Sequence, residues 1–168
     1  MRILRAADRV AMPWKNGGGI TREVMVSPER AGFDSFDWRV SIAEVREAGP
    51  FSLFPNIDRV LTILEGHMRL AFDDREVVLE AGVPFAFAGD VACHGTPLGG
   101  PVIDLNVMVR RGRSAIVAPV TSGPVDATLI VATAPARIGG TMLARFDAVV
   151  LDAPCTLQGD ALAIRLRG

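Results

Sequence analysis

Strand periodicity is clearest in the stretch Phe36-Asp37-Trp38-Arg39-Val40-Ser41-Ile42-Ala43-Glu44-Val45. Apolar side chains occupy every second position from residue 36 to residue 42, and charged or hydroxyl side chains occupy the positions between them. Successive side chains of an extended chain point to opposite faces, so this alternation places the apolar groups together. The stretch therefore predicts a half-buried β-strand.

Similar short segments recur along the chain, separated by glycine, proline or paired aspartates. They cover residues 59–64, 68–72, 76–79, 84–87, 103–109, 128–132, 142–146, 148–151 and 161–166, and we expect a hairpin at Gly66, between the first two. No segment carries an amphipathic helical stripe over three turns. Many short strands with regular turns predict an all-β protein with a closed or sandwiched antiparallel sheet.

The composition gives no sign of a strongly charged binding surface. Of the 168 residues, 49% are hydrophobic and 22% are charged, with a net charge of −1 and a pI near 6.1. This balance favours neither nucleic acid nor an anionic membrane as a partner. No apolar run approaches the ~20 residues of a membrane span, and the amino terminus lacks the apolar core of a secretory signal, so we expect a cytoplasmic protein. Two cysteines, Cys93 and Cys155, are too few for a disulfide framework.

Three consecutive glycines are the most unusual local feature. They lie in the stretch Pro13-Trp14-Lys15-Asn16-Gly17-Gly18-Gly19-Ile20-Thr21-Arg22-Glu23. Glycine lets a backbone pass close to a ligand or to another strand. The run lacks the Lys-Ser/Thr ending of a phosphate loop, and a strand pattern follows it instead of a helix. The sequence therefore does not predict a nucleotide site here.

A short internal sequence repeat relates the two halves of the chain. Residues 77–82, which are followed by Gly89-Asp90, are similar in sequence to residues 149–154, which are followed by Gly159-Asp160. A chance similarity between β-rich segments is one explanation. The interpretation we favour is a duplicated barrel whose second copy is shorter.

Several motifs in a fixed order together resemble a known family. They are Trp14-Lys15-Asn16-Gly17-Gly18-Gly19, Trp38-Arg39, Gly49-Pro50-Phe51-Ser52-Leu53-Phe54-Pro55, Asp58-Arg59-Val60, Glu80-Ala81-Gly82 and Asp104-Leu105-Asn106-Val107-Met108. This pattern is similar to that of the HutD/Ves family of cupin-like proteins, most strongly over residues 1–112. The resemblance implies a cupin (RmlC-like jelly-roll) double barrel. We expect a first barrel over residues 1–112 and a shorter second half, residues 113–168, packed on it as one compact unit.

The resemblance also implies a function. HutD-like proteins are associated with histidine utilisation, where they are thought to bind N-formylglutamate or a related intermediate and to limit operon expression. The expected partner is a small anionic metabolite, without direct binding to nucleic acid or membrane, and exposed strand edges favour homodimerisation. The alternative is a metal-free cupin enzyme, of isomerase or deformylase type, that acts on a small acid through His94 with Asp90 or Asp104.

The positions that bind a metal in other cupins are altered here. Counting back from Gly66, the glutamate of the cupin metal motif falls on Arg59, and its two histidines fall on Ser52 and Phe54. Arginine stays protonated and offers five donors and no acceptor, so it cannot replace a metal-binding carboxylate. We therefore expect no metal and no cofactor, and an anion in the barrel instead.

Arg59 is the main candidate for binding that anion. In the cupin register its side chain points inward, where an unpaired cation would be costly. One interpretation is a permanent internal pair with Glu65, Asp90 or Asp104. A second is a bidentate contact with the carboxylate of a ligand. A third is an arginine on the protein surface.

The remaining candidates for ligand binding are polar or aromatic residues close to Arg59 in the predicted barrel. They are Asn16, Thr21, Arg22, Phe54, Asp90, Asp104 and Asn106, with the amides of the glycine run as further donors. Asp104 and Asn106 share one face of their segment, because alternate residues of a strand point the same way. Asn106 can also be a buried residue that caps a neighbouring backbone, and Arg22 can form a structural bridge to Glu44.

Overall fold

A computed structural model describes residues 1–168, and nearly all regular structure in it is β-sheet. The only helical element is a 3₁₀ turn over Ala6–Asp8. The strands are β1 (Arg2–Leu4), β2 (Ala11–Pro13), β3 (Gly19–Ser27), β4 (Trp38–Val45), β5 (Gly49–Pro50), β6 (Ile57–Ala71), β7 (Glu76–Leu79), β8 (Pro84–Ala88), β9 (His94–Arg110), β10 (Ser114–Val120), β11 (Gly123–Val125), β12 (Leu129–Ala132), β13 (Ala136–Ile138), β14 (Thr141–Leu143), β15 (Ala148–Val150), β16 (Cys155–Gln158) and β17 (Ala161–Arg167). The predicted all-β class is confirmed. The structure has no helix long and apolar enough to cross a membrane.

The unit formed by Val10–Ser114 is built on one antiparallel sheet. Its strand order is β2-β3-β4-β9-β6-β7, with β5 paired to β9 and β8 paired to β6. Its main apolar cluster includes Leu61, Ile63, Met68, Leu70 and Val102, all fully buried. The burial of these aliphatic side chains stabilises the sheet.

The two longest strands of this unit, β6 and β9, pair along almost their whole length. The sequence predicts two strands with a hairpin at Gly66, and this prediction is wrong: β6 runs through Gly66 without a turn. The register shifts around Glu65, and Gly66 has a φ of 87°, a left-handed conformation that glycine adopts without strain. The glycine therefore forms an irregularity in the ladder, which bends a sheet without ending a strand.

The second unit combines Met1–Arg9 with Ala115–Gly168. Its sheets have the orders β1-β15-β12-β17-β10 and β11-β16-β13-β14. A core cluster draws side chains from both sheets, including Ile130 and Val149 from the first and Ile138 and Leu157 from the second. The expected division placed residues 1–9 with the first barrel, whereas β1 pairs with β15.

Asp147 holds the amino-terminal segment of this second unit in place through hydrogen bonds. Its buried carboxylate accepts hydrogen bonds from the Ala6 amide at 2.7 Å, the Ala144 amide at 2.9 Å and the Arg5 guanidinium at 2.7 Å. Burial opposes ionisation of this group, but the two amides and Arg5 outweigh it and lower its pKa. The ionised carboxylate therefore stabilises the fold.

Candidate functional site

Three adjacent strands of the Val10–Ser114 unit bring polar side chains to one face. The register aligns Ser41 of β4 with Asn106 of β9, and it aligns Arg59 of β6 with Met108 of β9. Because alternate residues share a face, Arg39, Ser41, Arg59, Asp104 and Asn106 all reach the same cavity. The cavity has a volume of about 480 Å³. Its wall consists of Met12, Pro13, Trp14, Lys15, Asn16, Thr21, Phe33, Arg39, Ser41, Ala43, Pro50, Phe51, Ser52, Phe54, Arg59, Leu61, Asp104, Asn106 and Met108.

Arg59 is buried in this wall, with 6% of its surface exposed. Its guanidinium lies over the rings of Phe51, Phe54 and Phe87, at 5.1, 5.6 and 5.2 Å from the ring centroids. Such contacts stabilise a cation that has lost much of its water. Burial lowers the pKa of Arg59 to about 10, so the side chain remains charged at neutral pH.

The guanidinium of Arg59 has only one hydrogen-bond partner in the protein. Its Nε donates to Asn106 Oδ1 at 3.3 Å, and no carboxylate lies within 4.0 Å of it. Of the three internal partners that the sequence suggested, Glu65 is exposed and Asp90 is bound by Arg111. Asp104 acts on Arg59 only through space. The two amino groups of Arg59 are therefore available to a ligand.

Asp104 is the acidic group of the cavity, and 3% of its surface is exposed. No hydrogen bond from the protein reaches its carboxylate. Burial raises the pKa of Asp104 to about 7, and the nearby positive charge of Arg59 only partly opposes this rise. Asp104 can therefore be either protonated or ionised near neutral pH.

Arg39 is a buried cavity residue that the sequence did not single out. Its Nε donates to Glu23 Oε2 at 2.9 Å, and its guanidinium lies 4.7 Å from the centroid of the Phe33 ring. The alternation in β4 assigned Arg39 to a polar, solvent-facing side. Both faces of β4 are in fact covered, since Val40 and Ser41 are both buried. One sequence signal could have identified Arg39. It lies with Ser41 on the polar face of a long strand, and such a pair can line a cavity when another segment covers that face.

The glycine run forms the connection between β2 and β3, and it orders the cavity rim. Trp14 Nε1 donates to Thr21 Oγ1 at 2.7 Å. The Gly17 amide donates to the Trp14 carbonyl at 3.0 Å, and the Gly18 amide donates to Asn16 Oδ1 at 2.9 Å. These amides are thus engaged within the loop. They are not the free donors that the sequence suggested.

Six of the eight predicted ligand-binding residues line the cavity: Asn16, Thr21, Phe54, Arg59, Asp104 and Asn106. Arg22 and Asp90 do not, and we remove them from the candidate set. Arg22 lies on β3 between Ala11 and Ile42, and it contributes to the electrostatic environment of Glu44. Asp90 is exposed and accepts two hydrogen bonds from Arg111, at 2.9 and 3.0 Å.

The residues suggested for metal-free catalysis are not assembled. His94 is exposed at the start of β9, where it pairs with Pro50 and Ala71, and it is absent from the cavity wall. Of the suggested acid-base groups, only Asp104 reaches the cavity. No group of three or more His, Cys, Asp or Glu side chains is arranged to hold a metal ion.

Comparison of sequences relates the chain to one family. The family model for HutD matches residues 6–163. An uncharacterized 21.2 kDa protein in the hutC 3' region of Pseudomonas putida is 41% identical over 115 residues, which cover 67% of this chain and 60% of the relative. Protein Ves of Citrobacter koseri is 42% identical over 103 residues, which cover 60% of this chain and 53% of the relative. The matches therefore span little more than half of the length of these curated relatives.

Comparison of structures gives full-length similarity. HutD from Pseudomonas fluorescens SBW25, solved in a formate condition, is 31% identical with a TM-score of 0.86 and covers 99% of both chains. A conserved protein of unknown function from Pseudomonas aeruginosa PAO1 is 33% identical with a TM-score of 0.85, covering 99% of this chain and 98% of that one. Protein Ylba from E. coli, only 7% identical but with a TM-score of 0.73 over 98% of this chain and 89% of its own, shares the fold alone. The fold is all-β and cupin-like.

Proposed function

Because this chain belongs to the HutD family, we propose that it binds a small carboxylate metabolite in the cavity of the Val10–Ser114 unit. The ligand class we favour is N-formylglutamate or a related acid. Through this binding the protein would limit expression of histidine-utilisation genes, as a cytoplasmic protein that does not itself contact nucleic acid.

The observation that carries this proposal is the unpaired guanidinium of Arg59. A buried cation without a carboxylate partner is energetically costly, so the site is prepared for an anion. Only the Nε of Arg59 has a protein partner, Asn106. Its two amino groups can donate in parallel to the two oxygens of one ligand carboxylate, the geometry that arginine favours.

The surroundings of Arg59 support a small organic acid over an inorganic anion. Aromatic and aliphatic side chains, among them Phe51, Phe54, Leu61 and Met108, share the wall with the polar groups. This mixture suits a ligand with a carbon chain between its polar ends, since ligand pockets combine apolar lining with a few placed polar groups.

Two relatives support the connection to histidine utilisation. The Pseudomonas putida relative is described by its place in the hutC 3' region. The structural relative from Pseudomonas fluorescens is itself a HutD protein, and the identity of 31% extends over the whole chain.

Calorimetric titration of the metal-free protein tests the proposal. N-formyl-L-glutamate, urocanate and L-glutamate would be titrated into the unaltered protein and into the Arg59→Lys and Arg22→Gln variants. We expect binding of at least one of these acids, a loss of roughly tenfold or more in Arg59→Lys because lysine cannot make the bidentate contact, and no change in Arg22→Gln. If none of these anions gives heat or a thermal shift, the proposal is wrong.

A second candidate, a metal-free isomerase or deformylase, is favoured by one observation. The Asp104 carboxyl lies in the same cavity as Arg59, and burial raises its pKa to about 7, which suits a general acid or base at neutral pH. Incubation with N-formyl-L-glutamate followed by NMR would reveal released formate or an isomer. Turnover that disappears in Asp104→Asn would favour this candidate, and the absence of any product would exclude deformylation of this acid.

A further inference from the structure

Asp104 is a buried residue whose carboxylate borders the cavity, and only burial and the charge of Arg59 shift its pKa, without a hydrogen bond from the protein. Its side chain lies on the cavity wall, on the same face of β9 as Asn106. Buried acceptors are normally satisfied, and an unsatisfied one costs free energy. A ligand that fills the cavity and displaces solvent must therefore supply a donor to Asp104, or Asp104 must take up a proton.

The charged and titratable groups around Asp104 do not supply that donor. From β4, Arg39 uses its Nε on Glu23 of β3 at 2.9 Å. From β6, Arg59 uses its Nε on Asn106 at 3.3 Å. Lys15 lies on the rim of the cavity, and the buried thiol of Cys93, whose pKa is raised by burial, lies near Arg59.

Arg59 is thus the main countercharge of Asp104. A ligand carboxylate placed on Arg59 brings a second negative charge close to Asp104 and shares that countercharge. The consequence depends on the ligand. A donor on the ligand compensates an ionised Asp104, whereas a ligand without a donor leaves two carboxylates facing one another.

We propose that Asp104 is a specificity-determining residue of this cavity: among the anions that Arg59 holds, it selects those that also present an N–H or O–H donor to its carboxylate. The inference rests on the proposed function, because it requires an anion on Arg59. It goes beyond that function by naming the second group that the ligand must carry.

One consequence is a proton linkage that differs between ligands. An anion without a donor binds only when Asp104 is protonated, so its binding takes up a proton when Asp104 is ionised beforehand. Since burial raises the pKa of Asp104 to about 7, affinity for such an anion should fall as the pH rises above that value. An anion that donates to the ionised carboxylate should show little such loss.

Glutarate and N-formyl-L-glutamate form a matched pair of probes, because they differ only in the formamido group. Titration calorimetry at pH 6 and pH 8, in two amine buffers of different ionisation enthalpy, gives affinity and proton uptake together. At pH 8 we expect N-formyl-L-glutamate to bind about tenfold more tightly or better, the scale of one hydrogen bond to a charged group. Binding of glutarate at pH 8 should be accompanied by uptake of close to one proton by Asp104. At pH 6 the difference in affinity between the two ligands should become smaller.

The Asp104→Asn variant removes the charge and offers a donor of its own. In this variant we expect glutarate to bind more tightly at pH 8, the preference for N-formyl-L-glutamate to fall to about threefold or less, and proton uptake to disappear. Asp74→Asn, which changes an exposed carboxylate of the same unit, is the control and should behave as the unaltered protein.

The outcomes separate the two claims. If both ligands bind the unaltered protein equally well without proton uptake, the role of Asp104 is wrong while anion binding stands. If neither ligand binds, the proposed function and this inference are both wrong. The proton-uptake measurement needs no variant, so the test holds even if Asp104→Asn does not fold.

Discussion

Arg59 and Asp104 lie on one cavity wall with opposite charges and without a direct ion pair. Both are almost fully buried, and burial moves each pKa toward the neutral form, to about 10 for Arg59 and to about 7 for Asp104. The aromatic rings around Arg59 and the hydrogen bond to Asn106 compensate only part of its lost hydration. The two buried charges therefore destabilise the protein when no ligand is bound.

Replacement of Arg59 by methionine tests this cost directly. Methionine keeps the apolar contacts of the side chain and removes the buried charge. At pH 5.5, where Asp104 is protonated and needs no countercharge, we expect the free energy of unfolding to stay unchanged or to rise by ~1 kcal/mol or more, as when buried charges are exchanged for apolar groups, while binding of carboxylates is abolished. Chemical denaturation and calorimetric titration measure the two effects. A variant that unfolds more easily and still binds carboxylates would contradict this account of Arg59.

Asp104 should make stability depend on pH. Its folded pKa of about 7 lies above the ordinary value of 3.8, so folding favours the protonated form. Relative to Asp104→Asn, the unaltered protein should lose ~2–4 kcal/mol as the pH rises from 4 to 8, with most of the loss complete near pH 7. Denaturant unfolding of both proteins across this range measures the difference. Parallel stability curves would contradict the raised pKa.

Much of this site could be predicted from single residues. The position of Arg59 relative to Gly66 placed it inside, and alternation in β9 placed Asp104 and Asn106 on one face. Arg39 was missed because alternation shows which residues share a face and does not show whether something covers that face. Asp90 was included because the sequence does not reveal its partner, Arg111. For Arg22 the sequence left open a structural role beside Glu44, and the structure places Arg22 in the electrostatic environment of that residue.

The turn between β2 and β3 contains one close approach between backbone segments. A Cβ on Gly19 would lie 2.6 Å from the Glu44 carbonyl oxygen and 2.9 Å from the Trp14 ring. The same atom on Gly18 would lie 3.2 Å from Asn16 Oδ1, which is a side-chain atom and can shift without moving a strand. Gly19 is therefore required by backbone packing, whereas Gly17 is favoured by its left-handed φ of 75°.

The matched pair Gly19→Ala and Gly18→Ala tests this assignment. We expect Gly19→Ala to destabilise the protein by ~2 kcal/mol or more, since the backbone of β4 must move, and Gly18→Ala to cost less than ~1 kcal/mol. Thermal and denaturant unfolding measure both. Equal effects of the two substitutions would mean that close packing at Gly19 does not determine the turn.

Strand positions were more predictable than strand lengths. Residues 76–79 were predicted as a strand and form β7, and residues 84–87 fall within β8. The prediction of a hairpin at Gly66 was wrong, because a glycine with positive φ is equally suited to a turn and to a bulge. Only the partner strand, β9, distinguishes the two, and pairing across this distance is not visible in local sequence.

Each of the two units of the chain has its own apolar cluster. Leu61, Ile63 and Met68 belong to one cluster, and Ile130 and Ile138 belong to the other. The sequence predicted the all-β class. It expected one compact unit divided at residue 112, whereas the chain divides into two units with a boundary after Ser114. It placed residues 1–9 with the first barrel, because the pairing of β1 with β15, which joins residues almost a whole chain apart, is not visible in local sequence.

Asp147 should carry much of the stability of the unit that contains these first residues. Asp147→Ala leaves the Ala6 and Ala144 amides and the Arg5 guanidinium without their acceptor, and we expect a loss of about 2–4 kcal/mol. The exposed Asp160 is the control, and Asp160→Ala should change stability by less than ~0.5 kcal/mol. Because its pKa is lowered in the folded state, the contribution of Asp147 should be lost in acid, as the carboxylate protonates. Unfolding measurements with protein and variants at pH 7 and pH 3 test both points.

The position of Trp14 gives the protein an optical property of its own. The chain contains two tryptophans and no tyrosine, and Trp14 is part of the cavity wall whereas Trp38 is not. In a Trp38→Phe variant the emission should come from Trp14 alone, and it should shift in wavelength or intensity as an acid fills the cavity. If calorimetry detects binding while the emission of Trp14 does not change, the ligand lies away from Trp14. The indole that shapes the rim can thus serve as a built-in fluorophore for following occupancy without any label.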